Sequence, residues 1–178
     1  MTKLLRSLIF LMIFMASLHP GVASEDRSSI VALHVPAVED LVGCSYGPFN
    51  VAFLCDPKWQ VHEDEDLVVY SIASSPAVSL SITKVSDNLK SIEQVNKADL
   101  ALTGQYADGF VLQDDTLGNK RVKMVMGFSR ASVEIRYLDY YILNEGKLYS
   151  LLFAVDPKEA WDSYKFLIKA IAQSFDFR

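Results

Sequence analysis

The sequence predicts an α+β fold: an antiparallel β-sheet flanked by helices. Two observations predict the sheet. Val122, Met124, Met126 and Phe128 alternate with Arg121, Lys123, Val125 and Gly127, and Val133, Ile135, Tyr137, Tyr141 and Leu143 carry the alternation on, with an interruption at Asp139. Leu117-Gly118-Asn119 and Asn144-Glu145-Gly146 separate these runs with the residues that short antiparallel turns require. The third observation predicts a helix. Trp161, Tyr164, Ile168, Ile171 and Phe175 recur at helical spacing, while Lys158, Asp162, Lys165, Lys169 and Gln173 fall on the opposite face.

Taken in chain order, the first element is a leader. Lys3 and Arg6 precede an apolar run from Leu8 to Leu18, His19-Pro20-Gly21 breaks it, and Gly21 and Ala23 put small residues at the positions a signal peptidase reads. Residues 1–23 are therefore expected to be a signal peptide cut after Ala23; an uncleaved anchor is the alternative, for which the run falls short of the about 20 residues that a spanning helix needs. Residues 24–45 are weakly patterned, with Ile30 to Val35 the one strand-like run, and read as an N-terminal arm. Residues 46–178 read as the folded domain, and no later segment is a candidate transmembrane span.

Within the domain, Phe49 to Leu54 reads as a strand and Asp56-Pro57-Lys58 as a turn. Trp59 to His62 and Leu67 to Ala73 read as strands around an acidic loop, Glu63 to Asp66. Val78, Leu80 and Ile82 alternate with Ser79, Ser81 and Thr83. A helix is predicted from a Ser91–Gln94 capping box onward, with Ile92, Val95, Ala98, Leu102 and Tyr106 on its buried face. Phe110 to Gln113 begins the next strand, Asp114-Asp115 reads as turn chemistry, and Lys147 to Ala154 is the last strand. Asp156, Pro157 and Glu159 give the final helix a cap, a first residue and a capping-box partner.

The chain is 51% apolar and 22% charged, an ordinary globular composition. Its net charge of −5 becomes −7 once Lys3 and Arg6 leave with the leader, which argues against nucleic acid as a partner. Cys44 and Cys55 are the two cysteines. In an oxidising compartment they are expected to pair, closing a short loop worth about 2–3 kcal/mol; two free thiols are the alternative. Leu41-Val42-Gly43-Cys44 spells a lipobox, but Glu39 and Asp40 stand where its apolar run should be.

No GxSxG, HExxH, P-loop or GxGxxG pattern is present, so no catalytic residue and no cofactor is assigned. His62, Glu63, Asp64 and Asp66 form the densest set of candidate metal ligands, set against the commoner reading of a solvated hairpin tip. Tyr137, Tyr140 and Tyr141 offer a ligand groove or, more simply, cross-strand packing.

Three stretches resemble the PsbP-like superfamily, which takes in the photosystem II extrinsic subunit and bacterial DcrB-like envelope proteins. They are Gly47-Pro48-Phe49-Asn50-Val51 leading to Pro57-Lys58-Trp59, Tyr137 to Ile142 followed by Gly146 to Phe153, and Tyr164 to Ile168 followed by Gln173-Ser174-Phe175. The resemblance implies an α/β/α sandwich and a non-enzymatic role in binding or assembling proteins at or near a membrane. The function expected is thus an exported binding or assembly accessory in a periplasmic, thylakoid-lumen-like or extracellular setting. An extracytoplasmic small-ligand or metal-ion carrier is the alternative. A hydrolase would need His34 or His62 beside an acid or a cysteine in space.

Overall fold

Alternation in the sequence becomes one seven-stranded antiparallel sheet in the order β3-β4-β5-β9-β8-β7-β6. Its strands are β3 (Gln60–Asp64), β4 (Leu67–Ser74), β5 (Ala77–Asp87), β6 (Val111–Leu117), β7 (Lys120–Phe128), β8 (Arg136–Asn144) and β9 (Lys147–Asp156). A smaller sheet, ordered β1-β2-β10, is built from β1 (Val42–Tyr46), β2 (Val51–Cys55) and β10 (Asp176–Phe177). The helices are α1 (Lys97–Leu102) and α2 (Trp161–Ser174). The structure, a computed structural model, describes residues 35–107, 109–130 and 134–178. The leader, the arm up to His34, and Val133 lie outside them.

Each face of the large sheet has its own core. Leu80, Ile82, Leu151, Phe153 and Ile142 bury their side chains on the first face, against Tyr164, Leu167, Ile168 and Ile171 of α2 and Val51 and Phe53 of β2. Fully burying one such aliphatic side chain stabilises by roughly 1.5–3 kcal/mol. The end of α2 is tied to β2: the Leu54 amide donates to Ser174 Oγ at 2.8 Å, and that hydroxyl donates to the Ile171 carbonyl at 2.6 Å. The second face carries Val125, Tyr137, Tyr141, Leu148 and Leu152, covered by Ile92, Val95, Leu100, Tyr106 and Phe110 from the segment between β5 and β6.

The result is sheet-dominated, which corrects the expectation of a helix-flanked α/β/α sandwich. α2 shares the first face with the small sheet, and the second face has the short α1 and a 3₁₀ turn over Ile92–Gln94. The continuous helix from Ser91 to Tyr106 does not form. Val95 turns extended (φ −76°, ψ 111°), and Asn96 starts a new helix by accepting the Asp99 amide at 3.0 Å. A β-branched residue beside a strong cap favours this break. Leu102, expected on the buried face, is 86% exposed.

Three other expectations shift for related reasons. Asp156 ends β9, opposite Ala77, so it belongs to the sheet; a 3₁₀ turn over Lys158–Ala160 leads into α2 without a side-chain cap. Asp114 and Asp115 lie inside β6, paired with Lys123 and Val122 of β7, and not in a turn. Val42 to Ser45, read as part of the arm, are already strand, each opposite a residue of β2.

Candidate functional site

Strict alternation along β8 sends Leu138, Tyr140 and Ile142 to the first face and Tyr137, Asp139 and Tyr141 to the second. Asp139 therefore does not interrupt the strand. It sits in register between Val125 on β7 and Leu152 on β9, 0% exposed, and is the one fully buried ionisable carboxyl among the described residues.

An isolated buried charge is costly, so its partners matter. Asp139 Oδ1 accepts the Ser150 hydroxyl at 2.7 Å, and Oδ2 accepts the Tyr106 hydroxyl at 2.5 Å. The Tyr106 and Tyr141 hydroxyls lie 2.6 Å apart. Burial pushes the Asp139 carboxyl up from 3.8 to about 6, against the pull of hydrogen bonds from Tyr106, Ser150 and Tyr141. Burial, then the charge of Asp139, hold both phenols well above their usual range, so they remain protonated donors. The cluster can hold or release a proton near neutrality, and hydroxyl groups supply its internal hydrogen bonds.

Tyr106 reaches this cluster from the connection between α1 and β6. It bridges to Ser129, Arg130 Nε donates to its carbonyl, and the next amide, of Ala107, donates to the Phe128 carbonyl at 2.9 Å. Its ring packs on Phe110 and Tyr137, with centroids 5.2 and 4.9 Å away. Gly127 makes room for this stack: a Cβ there would stand 2.8 Å from the Tyr137 hydroxyl and 3.2 Å from Phe110 Cβ. Beside the cluster, a crevice of about 190 Å³ runs between the covering segment and the sheet, with Val85, Leu89, Val95, Leu100, Leu148 and Tyr141 among its walls.

The residues singled out from the sequence are placed as follows. Cys44 and Cys55 form a disulfide across β1 and β2, Cα atoms 5.8 Å apart. His62 lies on β3 as read, and Glu63 and Asp64 lie on it too rather than in a loop, so alternation sets Glu63 on the face opposite to His62 and Asp64. Glu63 Oε2 lies 3.5 Å from the Tyr46 hydroxyl, Asp64 Oδ1 accepts the Glu65 amide at 2.7 Å, and Asp66 pairs with Lys84 at 3.4 Å. Among the described residues no group of three or more His, Cys, Asp or Glu is placed to hold a metal ion. Tyr137, Tyr140 and Tyr141 are all buried, split between the two faces. Sequence reasoning missed Asp139 as a site. Its signal was an acid in an apolar alternating run, with a serine, Ser150, in the equally apolar strand that follows.

A sheet-dominated α+β fold, with one short and one long helix packed on it, is the class that these observations define. No protein-family model matches the sequence, and no curated protein matches it. Solved structures do. The chain is similar to cyanobacterial PsbP (CyanoP) of Synechocystis at 17% identity and a TM-score of 0.56, over 88% of this chain and 99% of that one. It is also similar to the Ran-binding protein Mog1p of Saccharomyces cerevisiae, at 10% identity and a TM-score of 0.51, over 77% of this chain and 95% of that one. A Bacteroides thetaiotaomicron protein aligns at 14% identity and a TM-score of 0.51, over 76% of this chain and 48% of its own. The fold is PsbP-like, as the three sequence stretches implied.

Proposed function

We propose that this chain is an exported, non-enzymatic PsbP-like protein that acts as a binding or assembly accessory for an envelope or membrane-associated protein complex. The observation that carries the proposal is the fold, shared with cyanobacterial PsbP and with a protein described as Ran-binding. Fold likeness is an argument by analogy, and three features of the chain support it. The leader has the grammar of a secretory signal. The Cys44–Cys55 disulfide suits an oxidising compartment: periplasm, thylakoid lumen or the extracellular space. No helix among the described residues is long and apolar enough to cross a membrane, in keeping with a protein delivered to a complex rather than embedded in it.

The exposed large apolar residues include Val61 on β3, Leu102 on α1 and Phe166 on α2, each on a different element. Photo-crosslinking side chains placed at these three positions, in cells, test the proposal. One discrete adduct from one of the three positions, in the envelope or membrane fraction, is expected. Absence of any adduct from all three would overturn the reading. The crevice beside Tyr141 favours a second reading, a small-ligand carrier; there the same positions would stay unlinked while a ligand co-purified with the protein.

A further inference from the structure

The segment spanning residues 91–107 is a thin cover. α1 is one short helix, Leu102 at its end points into solvent, and the segment continues through Gly104, in left-handed backbone (φ +74°), to Tyr106. It is attached to the sheet by apolar contacts of Ile92, Val95 and Leu100, by the Glu93–Arg121 ion pair, by backbone bonds of Tyr106 and Ala107 beside Phe128 and Ser129, and by the hydroxyl of Tyr106 on Asp139. Asp139 belongs to β8, Ser150 to the neighbouring strand β9 and Tyr106 to the cover, so the cluster ties the cover to two paired strands of the sheet.

We infer that Asp139, Tyr106, Tyr141 and Ser150 form a proton-operated clasp, which closes the 91–107 segment on the sheet when the cluster holds an extra proton and loosens it when that proton is lost. The physical reason is the absence of a counter-charge inside the cluster. The titratable groups that face Asp139 are Tyr106 from the cover and Tyr137 and Tyr141 on its own strand. β9 presents Ser150 and Leu152, and β7 presents Val125. The cations nearest these groups have other partners than the Asp139 carboxyl. Lys123 pairs with Asp114 at 2.7 Å, Lys97 lies over the Phe110 ring, and Arg130 Nε donates to the Tyr106 carbonyl.

A carboxylate in this place is held by hydroxyl donors alone, and water reaches it once the cover lifts. Water reaching the group as the cover lifts brings it down from about 6 towards its ordinary value of 3.8. Linkage then makes opening about tenfold more frequent at pH 7 than at pH 5, with a plateau above about pH 7. The clasp belongs to this cover and its proton, whichever partner the protein serves.

Amide hydrogen exchange on the full chain, corrected for the intrinsic pH dependence of exchange, reads this directly. The reporters are Leu100, Thr103 and Ala107, whose amides bond to Asn96, Leu100 and Phe128; Leu151 to Phe153 in β9 report global opening. Opening of the first set is expected to rise about tenfold between pH 5 and pH 7 while the second set stays more protected. Asp139→Asn should flatten the rise. Ser150→Ala removes one donor from the carboxylate, so it should carry the plateau to higher pH and enlarge the total rise. A wild-type cover whose opening ignores pH, exchange at one common rate in both sets, an Asp139→Asn protein that keeps the slope, or a Ser150→Ala plateau that does not move would each overturn the clasp.

Discussion

Gly127 and Tyr137 should be energetically coupled, and the size of the coupling can be worked from their contact. A Cβ on residue 127 would meet the Tyr137 hydroxyl at 2.8 Å, with Phe110 Cβ at 3.2 Å and Phe110 Cα at 3.3 Å behind it. Tyr137 is buried, and its hydroxyl has no hydrogen-bond partner among the described residues, so no bond rewards it for staying. Gly127→Ala forces the ring or the Phe110 backbone aside. Overpacking of this kind costs about 1–3 kcal/mol, and the stiffer unfolded chain returns about 0.4–1 kcal/mol, leaving a net loss of roughly 1–2 kcal/mol. Tyr137→Phe removes the closest atom. Alone it should be neutral or stabilising by up to about 1 kcal/mol, since a buried hydroxyl without a partner is lost. In that background Gly127→Ala meets only Phe110 and should cost roughly 1 kcal/mol less than in wild type. Urea unfolding of the four proteins gives the cycle. Additivity to within about 0.5 kcal/mol would refute the contact, and so would a Gly127→Ala protein more stable than wild type.

The remaining predictions use the same assay. Because burial raises the Asp139 carboxyl from 3.8 to about 6, the folded state holds a proton that the unfolded chain releases, so this group's contribution to stability is present in full below pH 3.8 and lost as pH rises through about 6. The stability of wild type relative to Asp139→Asn should therefore fall by roughly 3 kcal/mol across that window; a flat difference would contradict the burial argument. Replacing both Cys44 and Cys55 by Ala should cost about 2–3 kcal/mol, and reduction of the wild type should lower its unfolding midpoint in the same direction. Ile168→Ala, at a position 0% exposed between α2 and the first face, should cost roughly 2–5 kcal/mol, whereas Phe166→Ser, at 73% exposure, should stay within about 0.5 kcal/mol of wild type.

Strands were the legible part of this fold, because period two survives wherever one face is buried more deeply than the other. Val122 to Phe128 and Lys147 to Ala154 lie in strands as read. α2 was legible for the same reason: Trp161, Tyr164, Ile168 and Ile171 are its buried face as read, while Phe175, read with them, is buried just past the helix end in extended backbone. The segment after Ser91 misled because its spacing suits a helix while Val95 and Asn96 suit a break, and tertiary packing favoured the break. The Cys44–Cys55 pairing followed from compartment chemistry; the register of β1 on β2 sets Cys44 opposite Phe53 and Cys55 opposite Val42, so the bridge joins diagonal neighbours. Asp139 was visible only as a blemish in an apolar run. Its meaning depends on Tyr106, 33 positions away in the chain, and on a register that no local pattern encodes. Conversely, His62, Glu63, Asp64 and Asp66 look like a ligand set in one dimension, and the alternation of β3 takes Glu63 to the other side.

The proposed role of this PsbP-like fold is to bind a membrane-associated complex. The most direct test is a quantitative crosslinking pulldown of the full-length protein, carrying a C-terminal tag, from intact cells. Recovery of one membrane complex at near-equal stoichiometry is the predicted result. Clean recovery of the monomer alone, with crosslinker present and the protein at its native level, would contradict it.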